Sequence, residues 1–202
     1  MSYVIVPAMH ENMPVIGVKE NAFHNVYDLE SVTFEENTVN KNLFTIGKSA
    51  FDNCFNLKKI VLPKGTRKIP EKCFYRTAFT SIEYKDMEIG DNAFEYCENL
   101  KTAKLTNVGI GKHVFNHTKL ESVTINNELI TNPSNPSQKV PHFCTVGDDA
   151  FGGCFKLKKA DLRGVTHFGY QVLNNCPKLE ELTVSNYIRE VNSSNFGQLF
   201  NT

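Results

Sequence analysis

The residues of this 202-residue chain best suited to metal or nucleophilic chemistry are its six cysteines and six histidines. His142 and Cys144 are two residues apart, and His113 and His117 are four apart, which are spacings that two ligands of one metal ion can have. A structural zinc site needs a second pair, however, and no CxxC or HExxH motif accompanies either of these. We therefore expect a hydrogen-bonding or solvent-facing role for the two histidines at 113 and 117, no metal site and no cofactor.

Motifs of other catalytic classes are also missing from the sequence. The chain has no Gly-x-Ser-x-Gly nucleophile motif and no phosphate-binding Walker loop. Its glycines recur after an apolar residue, as in Ile46-Gly47 and Ile89-Gly90, which indicates turn positions. The sequence therefore predicts a protein that is not an enzyme.

Charge and hydropathy narrow the expected partners and location. The 22 basic and 22 acidic residues balance, which removes the electrostatic basis for binding nucleic acid. No run approaches the roughly 18 apolar residues of a transmembrane helix. The N-terminus has no basic region, and its apolar run of Tyr3 to Val6 stops at Pro7, so no secretory signal is predicted. These features favour the cytoplasm.

A repeat organises nearly the whole chain, and it decides where any of these side chains lie. The clearest copies begin at Ile46, Ile89 and Val146 and share the template I-G-x-x-A-F-x-x-C-x-x-L-x-x-I-x-L. We predict one domain over 1–202, with repeats near 18–34, 46–63, 69–84, 89–105, 110–125, 146–162 and 168–184, and a partial copy at 191–202. Insertions at 35–45 and 126–145 interrupt it, and the polar, Pro-rich second one is predicted to be a loop.

The spacing of apolar residues within a copy predicts its structure. The L-x-x-I-x-L segment ends in the two-residue alternation of a β-strand, and one parallel strand per copy fits a period of about 20 to 24 residues. The preceding A-F-x-x-C-x-x-L segment suits a short helix, a 3₁₀ turn or an irregular segment on the opposite side. A small residue precedes each Phe, as expected for an interdigitating core. These features predict a repeat solenoid whose coils cover one another's apolar edges.

The template A-F-x-x-C-x-x-L-x-x-I-x-L-P, with a shorter F-x-x-T-x-L-x-x-I form, resembles the BspA-like, Treponema-type leucine-rich repeats of bacteria and parasitic protists. The resemblance covers Val18 to Val184. It implies an α/β-type leucine-rich repeat solenoid, a curved right-handed coil of about seven full repeats with its parallel strands on the concave side. It also implies a role in binding or attachment, with many members at cell surfaces, and no shared catalytic residues or cofactor.

The position three residues after Phe accounts for most of the cysteines. This column, here called the cysteine column, holds Val26, Cys54, Thr77, Cys97, Thr118, Cys154 and Cys176. Because Val and Thr substitute for Cys, the thiols are predicted to be small, buried and reduced. Cys154 and Cys176, in adjacent coils, are the one pair for which a disulfide is worth testing.

The residues between the apolar positions of each strand are expected to face the open, concave side. The first such column contains Lys101, Glu121, Lys158 and Glu180, whose alternating sign predicts a ladder of exposed ion pairs between coils. The alternative is a polar docking surface for a protein. Its candidate residues are Lys58, Lys59, Lys101, Lys104, Lys158 and Lys159.

The function expected from the sequence is a non-enzymatic scaffold that binds a macromolecule, most simply a protein, through the concave sheet or the inserted loop. The second interpretation is a structural or adhesive protein that assembles with itself or at a cell surface. The segment Tyr3 to Val6 looks like the end of a preceding strand, and no cap is recognisable after Phe196. We therefore expect one end of the solenoid to be covered by another chain or by residues that this sequence does not include.

Overall fold

The strands of the protein are short and follow the repeat closely. The computed structural model describes residues 2–36, 44–188, 191 and 193–196. In chain order the elements are β1 (Ser2–Val6), β2 (Met9–His10), β3 (Met13–Pro14), β4 (Gly17–Val18), β5 (Leu29–Phe34), β6 (Thr45–Ile46), β7 (Lys59–Ile60), β8 (Lys68–Ile69), β9 (Ser81–Lys85), β10 (Glu88–Ile89), β11 (Thr102–Thr106), β12 (Gly109–Ile110), β13 (Ser122–Asn126), β14 (Leu129–Asn132), β15 (Asn135–Pro141), β16 (Thr145–Val146), β17 (Lys159–Leu162), β18 (His167–Phe168), β19 (Glu181–Val184) and α1 (Ser193–Phe196).

The predicted L-x-x-I-x-L strands form the concave side, but in two sheets instead of one. An N-terminal sheet has the order β1-β5-β7, and a central sheet has the order β9-β11-β13-β17-β19. Neighbouring strands in both are parallel, as expected for one strand per coil. The interruption follows β7, which is only two residues long and is soon followed by Pro63, a residue that cannot donate to a ladder.

Strand β1 adds a coil before the first predicted copy. It pairs in parallel with β5, with Val4 opposite Val32 and Ile5 opposite Thr33. This confirms that the segment Tyr3 to Val6 is the strand of a preceding coil. Val4 packs against the core, whereas Ile5 is exposed on the concave side.

A second, narrow sheet forms at the apolar-Gly step of each copy and was not predicted. It has the order β18-β16-β12-β10-β8, and β4 pairs separately with β6. The glycines after these strands are required by the closeness of neighbouring coils. A Cβ at Gly47 would lie 2.2 Å from the backbone nitrogen of Glu20, and one at Gly147 would lie 2.5 Å from the carbonyl carbon of Gly111. Close coil contact, more than turn geometry, explains this glycine column.

The phenylalanine column forms the centre of the core, as the repeat predicted. Rings of successive coils stack at centroid separations of 5.1 to 5.6 Å along the series Phe23, Phe51, Phe74, Phe94, Phe115 and Phe151. All of these except Phe23 are fully buried. Leu173 continues the column, and Phe196 of the last partial copy is buried against Phe168.

From the coil of Phe23 to that of Leu173, the segment around the Phe position is a series of turns. The one helix of the described residues, α1, ends at Phe196 of the last partial copy. Residues two positions before and two positions after Phe have left-handed backbone conformations in coil after coil. Examples are Asn21, Asn25, Asn53, Asn92, Tyr96, His113 and His117. Amides of one coil then donate to carbonyls of the next, as Phe94 does to Val114 at 3.0 Å. A short helix, a 3₁₀ turn and an irregular segment were the predicted alternatives for this side of the coil. The irregular segment is confirmed, because a residue in the left-handed conformation interrupts helical hydrogen bonding.

The insertion at 126–145 forms a hairpin, so the prediction of a loop was wrong. Strands β14 and β15 pair antiparallel, with Ile130 opposite Val140 and Asn132 opposite Asn135. The two residues between them, Pro133 and Ser134, make a tight turn. Residues 37–43 of the insertion at 35–45, and residues 189, 190, 192 and 197–202 around the last partial copy, lie outside the described residues.

Candidate binding surface

The six candidate lysines all lie on the concave side and are exposed, as predicted. The interruption after β7 divides them into two groups, however. Lys59 is in β7 of the N-terminal sheet and Lys58 directly precedes it, whereas the other four lie in or directly before strands β11 and β17 of the central sheet. The other four are Lys101, Lys104, Lys158 and Lys159.

Residues of the first concave column are lateral neighbours, but their side chains are not paired. Glu121 donates its backbone N–H to the carbonyl of Lys101 at 2.8 Å, and Lys158 donates likewise to Glu121 at 2.9 Å. Glu180 follows, bonded to Lys158 at 2.9 Å. Within the described ranges, Lys101 and Lys158 nevertheless make no ion pair. The predicted ladder is therefore wrong for this column, because backbone adjacency does not bring long exposed side chains together.

Ion pairs form instead in the next two columns. Lys159 Nζ lies 2.8 Å from Glu181 Oε2, and this hydrogen bond raises the pKa of Lys159. The guanidinium of Arg163 contacts both carboxylate oxygens of Asp161, at 2.8 and 2.6 Å, and lowers the pKa of that carboxyl. Lys104 stands opposite Glu83 in the ladder, yet it makes no ion pair within the described residues. Lys101, Lys104 and Lys158 thus keep unneutralised ammonium groups on the central sheet.

The hairpin of β14 and β15 is held to the coils at its base by a polar network. Asn107 donates to Asp86 at 2.8 Å and accepts from the backbone N–H of Glu128 at 2.8 Å. The Glu128 carboxylate contacts Lys85 at 2.6 Å, which lowers the pKa of Glu128. Leu129 is about half exposed (50%) on the hairpin itself. The hairpin is thus an anchored projection with apolar surface.

A cleft of about 870 Å³ lies beside the hairpin base, against the narrow sheet. Its apolar wall includes Met87, Ile110 and the exposed ring of Phe143. Its polar wall includes Arg67 and Glu88. The hairpin therefore borders this cleft as well as projecting from the coils.

The four cysteines of the cysteine column are buried, as predicted, and free, whereas Val26 at the same position of the first copy is exposed. Each thiol also makes a contact that the sequence did not reveal. Cys97 Sγ donates to the carbonyl oxygen of Phe74 in the preceding coil at 3.1 Å, and Cys54, Cys154 and Cys176 repeat this contact. Thr77, where the column holds Thr, bonds the Phe74 carbonyl of its own coil at 3.0 Å.

Burial removes the nucleophilic character of these thiols. It raises the pKa of Cys97 to about 12 and that of Cys54 to about 11, so the thiolate is scarce at neutral pH. Cys154 and Cys176 are both free, so the disulfide considered for this pair is not formed. The cysteine column is a packing and hydrogen-bonding feature.

The histidines that could have bound a metal have separate contacts. His113 Nδ1 lies 3.2 Å from Asp149 Oδ2, and burial raises the pKa of this carboxyl. His117 stacks on the ring of Tyr96 with centroids 5.0 Å apart. Among the described residues, no group of three His, Cys, Asp or Glu side chains converges as a metal site would require. No helix in this part of the chain is long and apolar enough to cross a bilayer.

Comparisons with known proteins agree with this architecture. The chain is similar to a leucine-rich repeat protein of T. pallidum, with a TM-score of 0.65 and 24% identity over 88% of this chain and 77% of the other. It is also matched to the pneumococcal vaccine antigen PcpA, with a TM-score of 0.48 and 18% identity over 92% of this chain and 61% of that one. No curated protein matches.

The family model described as "BspA type Leucine rich repeat region" matches this chain with six copies, over residues 16–136 and 136–201. This match covers nearly all of the predicted array. Together with the parallel sheets and the similarity of fold, it identifies the architecture as a leucine-rich repeat solenoid. The chain belongs to the BspA-type leucine-rich repeat family.

Proposed function

We propose that this chain is a non-enzymatic scaffold that binds a protein through its concave face. The observation that carries the proposal is the set of unneutralised ammonium groups at Lys104 in β11 and at Lys101 and Lys158. Lys101 and Lys158 directly precede β11 and β17, and each is hydrogen-bonded through its backbone to Glu121. A backbone ladder holds these residues at fixed spacing, so a partner with acidic side chains at matching positions meets a preorganised surface. Lys58 and Lys59 extend this surface to the N-terminal side of the interruption after β7. Lys159 is also part of the surface, although its ammonium group is paired with Glu181.

The anchored hairpin is a second contact within the same proposal. Leu129 and Ile130 are exposed on β14, and apolar groups on a projecting hairpin suit a protein partner better than a charged polymer. Loops and hairpins that interrupt a regular scaffold commonly carry recognition. The hairpin and the lysines can be tested separately, because they lie on different elements.

Proximity labelling in the protein's own cell tests the proposal. A variant with Lys58→Glu, Lys101→Glu and Lys158→Glu is compared with a control that reverses three exposed lysines outside the concave columns, Lys19→Glu, Lys156→Glu and Lys178→Glu. A partner of the concave face is enriched by the wild type and the control and lost from the first variant. Replacing residues 129–141 by a short glycine link examines the hairpin in the same way.

The direct measurement titrates this chain with the purified partner that proximity labelling identifies. Calorimetric titration is expected to give at least tenfold weaker binding for the concave variant than for the control, with a strong dependence on salt. Equal affinities for the concave variant, the hairpin variant and the control would contradict the proposal.

A second candidate function, end-to-end assembly, is supported by the first coils. Tyr3 and Ile5 are exposed on β1 by 70% and 54%, and among the strands of the described residues β1 pairs with β5 alone. Among the described residues, the carbonyls of Ala22 and His24, which face away from the next coil, accept no hydrogen bond. An edge of this kind is a template for pairing. A sedimentation coefficient that increases with protein concentration would favour this function, provided that the Ile5→Lys variant does not show the increase.

The location that we propose is the cytoplasm, with the cell surface as the alternative. The support is the six free cysteines, which suit a compartment that keeps thiols reduced. Family membership supports the alternative. Imaging of the tagged protein with and without permeabilisation distinguishes the two.

A further inference from the structure

A stripe of aromatic and cationic side chains crosses six coils at the turn that leads from each Phe segment into the concave strand. Its members, one from each coil, are Tyr27, Phe55, Arg76, Tyr96, His117 and Phe155. The rings of Tyr27 and Phe55 stack at 5.3 Å, and His117 lies between Tyr96 and Phe155 at 5.0 and 6.2 Å. Phe55 and Phe155 are each about half exposed. The aromatic rings of this flank stripe at Tyr27, Phe55 and Phe155 are exposed apolar surface outside the core.

A notch opens in the flank stripe where the coil of Phe74, one of the two shorter copies, is a residue shorter than the coils of Phe51 and Phe94 on either side. Most copies place two exposed residues between the cysteine column and the next core residue, as Phe55 and Asn56 do. In the coil of Phe74 only Ala78 occupies this stretch, and it is buried. A notch of about 410 Å³ results, within the size range of ligand sites. It is lined by Phe55, Arg76, Thr77, Tyr96, Glu98 and Asn99.

Arg76 is held in this notch with its hydrogen-bond donors unused. The guanidinium carbon lies 5.3 Å from the ring centroids of both Tyr75 and Tyr96, so two cation–π contacts orient it. Within the described part of the chain its side chain makes no ion pair and no hydrogen bond. Arg163 on the concave face differs, because Asp161 accepts two hydrogen bonds from it. The notch therefore presents a positioned guanidinium that donates no hydrogen bond to a carboxylate of the described residues.

Three acidic side chains near Arg76 have other contacts as well. The carboxylate of Asp52, which attracts the Arg76 guanidinium, lies 3.3 Å from His24 Nδ1. Glu98, on the wall of the notch, lies 3.5 Å from Lys119 Nζ. Glu95 accepts a hydrogen bond from Asn92 at 2.6 Å. A ligand carboxylate therefore meets partly neutralised acids and a guanidinium that donates no side-chain hydrogen bond within the described residues, while the ring of Phe55 offers an apolar contact beside it.

We propose that the Arg76 notch binds a short acidic peptide segment in which Asp or Glu stands next to an aromatic or large aliphatic residue. The carboxylate accepts two parallel hydrogen bonds from the Arg76 guanidinium, a geometry that this planar group favours. The neighbouring apolar side chain packs against Phe55. This surface differs from the concave lysines, so the proposal does not depend on the function proposed for them.

Titration followed by two-dimensional NMR of the full chain tests this assignment. The probe is acetyl-Ser-Phe-Glu-Leu-Ser-amide, and the matched peptide has Gln in place of Glu. We expect the Glu peptide to shift the Arg76 Nε–H and the Thr77 and Tyr96 amide signals, and to bind at least tenfold more tightly than the Gln peptide. A peptide ending in a free carboxylate after Phe distinguishes a terminal from a side-chain carboxylate.

Variants connect the binding to the notch. Arg76→Gln is expected to remove the preference for Glu over Gln, Arg76→Lys to keep part of it, and Phe55→Ala to weaken both peptides several-fold. Arg163→Gln is the matched control and should bind as the wild type does. Unchanged signals far from residue 76 establish that each variant is folded. Equal binding of the Glu and Gln peptides to the wild type, an unaltered preference in Arg76→Gln, or shifts that map to another surface would overturn the proposal.

Discussion

The central coils and the first predicted coil contain the same motif but differ in how much of it is buried. In the coil of Phe94, the residues Ala93, Phe94 and Cys97 are all fully buried. In the first predicted copy, Phe23 is only partly buried, and Ala22 and Val26 are exposed. Phe94 has a stacked ring on each side, whereas Phe23 has one only on the side of Phe51. A repeat position therefore becomes a core position only when both neighbouring coils cover it.

The largest expected contrast is between the two phenylalanines. Phe94→Ala should lower the free energy of unfolding by about 3 to 5 kcal/mol, because it opens a cavity between two stacked rings. Phe23→Ala should cost about half as much or less, because part of that ring already faces solvent. Chemical denaturation of both variants measures the difference. Equal losses would mean that burial by neighbouring coils does not set the contribution of this column.

Enlarging the small residue before Phe should give the next largest contrast. Ala93→Leu forces extra volume into a filled layer and is expected to cost about 1 to 3 kcal/mol. Ala22→Leu adds the same atoms to an exposed position and should change stability by less than about 0.5 kcal/mol. Thermal unfolding followed by circular dichroism checks both. A destabilised Ala22→Leu variant would show that the first coil is packed as tightly as the central ones.

Exchanging the residues of the cysteine column should have a smaller effect on stability and a large one on reactivity. Cys97→Val loses the contact with the Phe74 carbonyl but keeps an apolar side chain, so a cost below about 1.5 kcal/mol is expected. Val26→Cys should leave stability unchanged and create one thiol that reacts rapidly with a thiol reagent. The six native thiols should react only on unfolding, because burial raises their pKa.

The smallest effect is expected on the concave surface, where position in the array should not matter. Lys159→Met removes an exposed ion pair with Glu181 and should lower the melting temperature slightly at low salt and not at high salt. Lys101→Met, at an unpaired lysine of a central coil, should leave the melting temperature unchanged at both salt concentrations. A large loss of stability for Lys101→Met would extend the contrast between coils from the core to the surface.

The parts of the fold that the sequence predicted are those that depend on one coil at a time. The alternation in Val123-Thr124-Ile125 and its equivalents identified the strands and their exposed columns, and the substitution of Thr77 for Cys identified a packing position. The resemblance of the template to BspA-like repeats identified the family. These inferences succeeded because the same residue types recur at the same positions, so each copy tests the others.

The inferences that failed depend on neighbouring coils or on backbone conformation. The sign alternation of Lys101 and Glu121 predicted an ion pair, but the backbone ladder leaves their side chains apart. The polar composition of the insertion predicted a loop, whereas its register forms the antiparallel pair of β14 and β15. The spacing around Phe suited a helical turn, but left-handed residues such as Asn92 and Tyr96 make a series of turns. Asparagine two positions before or after Phe was the signal that could have revealed this, since it tolerates that conformation.

The sequence by itself determined the repeat, its family, the buried columns and the candidate lysines, because periodic apolar spacing is a property of the chain alone. Only the tertiary structure decided the division of the concave sheet after β7, the pairing of Lys159 and not Lys101, and the notch around Arg76. Each of these depends on the distance between side chains of different coils. That distance is set by stacking, by the closeness that Gly47 and its equivalents permit, and by the length of each coil relative to its neighbours.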